Sequence, residues 1–278
     1  MKVGRAILGY AGAVIVVGAL LAPCVFQLLQ PHLPDVPFHR IFNRTLLGVA
    51  LLGLWPLFRR LQIRSWAEIG FARRSDWWQQ ALLGGGLGLL TFGIGGALLI
   101  GLGVRALAFA PVPWLGLLLT GIVVGVFEET FFRGAIFSTL RRGWPVWLAL
   151  LVTSAIYSAL HFLKPKGGTE FAINWLTGFE YLAFVIQNSA QRPGTAIGFV
   201  TLLLAGGVLT IALVRTGSLY LSIGLHAGWV IALKLFAGQT DPVGGRQWWG
   251  GSSLVDNMLV WPVLLVLGIV IWRWPQRS

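Results

Sequence analysis

The sequence predicts an all-α, polytopic membrane protein with about eight transmembrane helices. Two observations carry that expectation. Of 278 residues, 56% are hydrophobic and 11% are charged, whereas soluble domains carry roughly 25% charged residues. Apolar runs of about 20 residues, the length that crosses a bilayer as a helix, recur along the chain. So few charges cannot cover a water-facing surface, and the apolar surface must meet lipid.

The expected spans are about 6–28, 41–58, 79–102, 114–140, 144–163, 195–214, 218–236 and 255–273. The first follows Lys2 and Arg5 as a signal peptide would, but Pro23 precedes Cys24 and the apolar run continues, so it reads as an uncleaved span. The second contains Pro56. The third holds nine glycines between Gly84 and Gly103, which reads as close helix packing. Trp144, Trp147, Trp261, Trp272 and Trp274 sit near span ends, as interface anchors do. The longest connection, 164–194, holds Lys164, Lys166, Glu170, Glu180 and a short apolar stretch, Trp175–Ile186, expected in the interface or re-entering the membrane. Neither an internal repeat nor a linker appears, so 1–278 reads as a single transmembrane domain.

The net charge of +12 has its bland explanation in basic loops. Arg59, Arg60, Arg64, Arg73 and Arg74 follow the second span, Arg141 and Arg142 the fourth, Arg215 the sixth, Arg273 and Arg277 the eighth. The positive-inside rule then predicts cytoplasmic termini, and a bacterial inner membrane is the expected location. No basic groove or aromatic-basic module indicates nucleic acid. Membrane lipid is an expected partner; oligomeric state is not indicated.

Ionisable groups inside spans are costly, and each marks a candidate site. They are few: Glu128, Glu129 and Arg133 in the fourth span, His161 in the fifth and His226 in the seventh. Glu129 and Arg133 are four residues apart, share a helix face and can neutralise each other. Glu128 points about 100° away with Phe132 at its i+4 position, which leaves its carboxyl for general-base chemistry. A carboxylate and two imidazoles can activate water and stabilise an oxyanion; the same trio, Glu128, His161 and His226, could ligate zinc. The His-Glu-x-x-His signature is absent, as is a Gly-x-Ser-x-Gly elbow, and Cys24 has no nearby base. No cofactor is expected, with zinc as the alternative.

Glu128-Glu129-x-x-x-Arg133, then Tyr157-x-x-x-His161, then His226, each on its own apolar helix, resemble the CPBP family of type II CAAX prenyl endopeptidases and related bacterial Abi proteins. The segment Glu68–Phe71 through Trp78 is similar to the lead-in of bacterial members, and the likeness covers about 60–236, the expected protease core. It implies a glutamate-dependent intramembrane endopeptidase that cuts a membrane-anchored or lipidated protein near its C-terminus. Glu128 and His161 would hold the attacking water, Glu129 and Arg133 would brace the site, and His226 would stabilise the oxyanion. Val230 stands where the family often has asparagine, four residues past the last histidine; Asn174 and Asn188 are the alternative donors. The rival readings are a non-proteolytic immunity or scaffold protein, a zinc protease, and a transporter, for which the repeats are missing.

Overall fold

A computed structural model describes residues 2–162, 172–190, 194–245 and 247–274. Lys164, Lys166, Glu170 and Arg277 lie outside the described residues. Among the described residues the long helices are α1 (Lys2–Leu29), α2 (Phe38–Arg60), α3 (Trp77–Gly101), α4 (Trp114–Glu129), α5 (Val146–Phe162), α6 (Thr177–Ala190), α7 (Thr195–Thr216), α8 (Tyr220–Gln239) and α9 (Val260–Trp272). Two three-residue strands, β1 (Arg105–Leu107) and β2 (Thr240–Pro242), pair antiparallel. The all-α polytopic architecture is the expected one.

Among the described residues six helices are long and apolar enough to cross a membrane: α1, α2, α3, α7, α8 and the continuous stretch Trp114–Leu140 that begins with α4. The other two expected spans are shorter apolar helices, α5 and α9. At 1.5 Å per residue, the 13 residues of α9 rise only about 20 Å. Its expected start at 255 is late because Asn257 makes a turn: its Nδ2 donates to Gly251 O and its Oδ1 accepts from Leu259 N. The side chain satisfies backbone groups that a helix would otherwise have to satisfy.

The chain divides into two compact units, Met1–Arg64 with Leu160–Arg192, and Ser65–Ala159 with Pro193–Ser278. In the first, α1 packs on α2 and on α6. Tyr181 and Val185 of α6 are buried with Ala19, Ala22, Phe38 and Phe42. Residues 177–186 of the apolar stretch are therefore helical and packed on α1, while Trp175 and Leu176 precede the helix and are exposed.

In the second unit, α8 runs between α3 and α4. Glycines bring these backbones together. A Cβ on Gly224 would lie 2.9 Å from Gly85 N, and one on Gly228 would lie 3.0 Å from Leu89 N. A Cβ on Gly84 would lie 2.8 Å from Leu225 N, so two small-x-x-x-small stripes face each other. Not every glycine of α3 has this part: Gly86, Gly93 and Gly101 face open space. Gly121 and Gly125 similarly seat α4 on Ala227 and Ile231 or Ile223 of α8. The outward face of α3 carries Leu82, Leu90 and Ile94, fully apolar and exposed, as a lipid-facing surface requires. Gly228→Ala is expected to lower stability by about 1–3 kcal/mol through overpacking against backbone. Gly93→Ala should be neutral or slightly stabilising, since an exposed helical glycine is less favourable than alanine by roughly 0.5–1 kcal/mol. Parallel melts of the two variants in detergent check the contrast.

The lead-in before α3 folds onto this unit. Gly70 has φ +93°, a left-handed conformation that glycine adopts without strain. Its carbonyl accepts from Leu219 N at 2.9 Å, at the start of α8. Asp76 accepts from Arg74 and Gln80, and these bonds, that of Arg74 first, hold its carboxyl at about 2. Trp261, expected as an anchor, donates Nε1–H to Thr201 at 2.8 Å.

Candidate active site

Below Glu129, α4 changes pitch. Thr130–Phe137 is a π-helix, and Ser138 Oγ donates to Arg133 O at 3.0 Å, five residues back. Widened turns of this kind are rare and concentrate at functional sites. Here the π segment begins at the residue after the two glutamates.

Glu129 and Arg133 are both 0% exposed and paired, Nη1 to Oε1 at 2.8 Å. The expected i,i+4 brace is present. Three further groups accommodate the guanidinium. Nη2 donates to Gly206 O at 3.2 Å, Cζ lies 4.6 Å from the centre of the Tyr157 ring, and Phe132 flanks it at 5.8 Å. A buried cation surrounded by a carboxylate, a carbonyl and aromatic faces has its lost hydration replaced. Gly206 and the Tyr157 ring were absent from the expected site. Their signals were faint: the Gly206-Gly207 pair inside α7, and an aromatic residue four positions before His161.

Glu129 also holds His226. Its Oε1 lies 2.8 Å from His226 Nδ1, so one oxygen serves both the guanidinium and the imidazole. The ring is bounded by the edge of Tyr157, with centroids 6.1 Å apart at 85°. Fixing Nδ1 leaves Nε2 as the free working atom, and Nε2 lies 3.7 Å from Glu128 Oε2. That separation is too long for a direct hydrogen bond but suits a small shared group. Glu128 retains 18% side-chain exposure where Glu129 has none. The two adjacent carboxylates thus sit in different environments: one fully buried and doubly bonded, the other partly exposed with Oε2 facing an imidazole. Glu129 thus contacts His226 as well as pairing Arg133.

The second unit brings Glu128, Glu129, Arg133, Tyr157 and His226 together. His161 is the penultimate residue of α5, half-buried, and belongs to the first unit. Val230 is half-buried on α8, and the adjacent Trp229 stacks on Phe92 at 5.5 Å. Asn174 Nδ2 donates to Ala172 O and Asn188 Nδ2 to Phe184 O, so both amides bond within their own segment. Among the described residues no group of three or more His, Cys, Asp or Glu side chains is arranged to hold a metal ion.

Residues 110–232 match the family model described as "Rce1-like: Type II CAAX prenyl endopeptidase Rce1-like". The match begins just before α4 and ends within α8, and includes all five candidate residues. No curated protein and no solved structure matches the chain.

Proposed function

Because residues 110–232 belong to the CPBP family of membrane peptide hydrolases, as an Rce1-like segment, we propose that this protein is an intramembrane endopeptidase that cuts a membrane-anchored or lipidated protein near its C-terminus. The observation that carries the reading is the position of Glu128 Oε2, 3.7 Å from the Nε2 of an imidazole whose other nitrogen is anchored to a buried ion pair.

In the proposed reaction Glu128 removes a proton from water as the water oxygen attacks the scissile carbonyl carbon. General-base assistance of this kind contributes about 10²–10⁴-fold. His226, as the imidazolium with Nδ1–H on Glu129, donates Nε2–H to the oxygen that becomes negative; a positioned donor there contributes about 10²–10³-fold. The proton on Glu128 then passes to the amine nitrogen as the C–N bond breaks, giving a carboxylate and an amine. Glu129 and Arg133 do no chemistry. They hold the ring so that Nε2 faces the reacting atoms. A part for His161 in holding the water rests on the motif order alone. The proposed setting is a bacterial inner membrane with both termini in the cytoplasm.

Purified protein in liposomes should cleave members of a pool of tail-anchored and prenylated peptides, with product masses placing the cut near the C-terminus. Substitution of Val230 for the family's asparagine favours the non-proteolytic alternative, an immunity or scaffold protein. A pool left intact, at the level of empty liposomes, would decide for that alternative.

A further inference from the structure

We propose that a cavity where the start of α3 meets the ends of α7 and α9 holds the phosphate of an anionic membrane phospholipid, with Arg215 as its counter-charge. The inference stands apart from the proposed endopeptidase activity and uses no residue of the candidate active site.

The cavity, about 120 Å³, has a divided wall: Leu83 and Leu221 are apolar, while Arg74, Asp76, Gln79 and Arg215 are polar or charged. Its two guanidiniums differ in what they already hold. Arg74 is committed: Nε and Nη2 donate to the two oxygens of Asp76 at 2.9 and 3.4 Å, and Nη1 to Thr216 O at 3.4 Å. Asp76 accepts a further bond from Gln80 at 3.0 Å, so its charge is answered within the wall. Arg215 is not neutralised. Its Nε and Nη2 converge on one neutral acceptor, Trp274 O, at 3.2 and 2.6 Å. Its Cζ lies 5.3 Å from the centre of the Trp272 ring. The half-buried cation is thereby held in place, with Nη1 bonded to nothing among the described residues. A planar guanidinium fixed along one edge, with donors to spare, matches the oxygens of a phosphate.

The surplus of positive charge extends beyond Arg215. Arg73 and Arg273, each next in sequence to a lining residue, are exposed. Among the described residues no acidic side chain pairs with Arg73, Arg215 or Arg273. A basic pocket between spanning helices is suited to an anionic lipid headgroup. Depth and continuity favour a lipid over free phosphate. Trp77, Trp78 and Trp272 are exposed at these same ends of α3 and α9, as aromatic residues at headgroup level are. Leu83 lines the cavity and is itself exposed, so the polar wall runs into the lipid-facing surface of α3 that Leu82 and Leu90 continue. A phosphate at Arg215 would have its acyl chains on that surface.

The test uses the full chain in neutral detergent, with dioleoyl phosphatidylglycerol and dioleoyl phosphatidylcholine as probes and retained lipid read by native mass spectrometry. Phosphatidylglycerol is expected to bind about tenfold more tightly than phosphatidylcholine, a difference of about 1.4 kcal/mol. Arg215→Gln should bring the two to equal affinity, and Arg215→Lys should keep a preference. Arg141→Gln removes an exposed arginine outside the cavity and should leave the preference unchanged. Inorganic phosphate in large excess should not displace the lipid. Equal retention of the two lipids by the wild type, a preference that survives Arg215→Gln, or an equal loss in Arg141→Gln would overturn the proposal. Displacement by inorganic phosphate would reassign the cavity to a free phosphate and overturn the lipid as its occupant. The wild-type comparison stands whether or not Arg215→Gln folds.

Discussion

Arg133→Ala is expected to cost about 3–5 kcal/mol of stability, the usual result of stranding a buried carboxylate by deleting its partner. Neither Glu129 nor Arg133 has solvent to fall back on, both being 0% exposed. The guanidinium also links three elements: Glu129 of α4, Gly206 O of α7 and the Tyr157 ring of α5. Its loss should leave Glu129 bonded to His226 alone and loosen the imidazole. Folded yield by size exclusion and melting temperature in detergent should both fall, and cleavage should be lost with them. Arg133→Lys should be intermediate, since an ammonium keeps the charge but cannot reach Glu129 and Gly206 O as a planar fork does. A normal melt for the alanine variant would mean that the pair is not a buried brace.

Much of this architecture was legible because lipid imposes a simple rule: long apolar runs become helices. The ends of α2 and α3 lie within about three residues of their expected positions, within ordinary boundary error. The late start of α9 was not visible, because it depends on which backbone groups the Asn257 amide finds. The nine glycines of the third span were legible as packing, but which of them pack was not. That is decided by the facing stripe, Gly224 and Gly228, about 140 residues away. At the site, the Glu129–Arg133 pair follows from local spacing. The bond from His226 to the same carboxylate spans 97 residues and has no local signature. The π segment leaves no mark either, since an i→i+5 bond can form in the same residues that would make an α-helix.

The second large effect concerns Glu128. Exchange for glutamine keeps shape and volume and removes the ability to take a proton. Glu128 is partly exposed, and the buried brace is formed by its neighbour. Folding should therefore survive where that of Arg133→Ala does not. The measurement is kcat/KM of wild type and Glu128→Gln in liposomes at equal folded yield, on the peptide cut best by the wild type. A fall of about 10²–10⁴-fold, with an unchanged melt, is the expected result for a general base. Activity within a few-fold of wild type in the glutamine variant would contradict the assignment of Glu128 as the base and, with it, the mechanism built on this cluster.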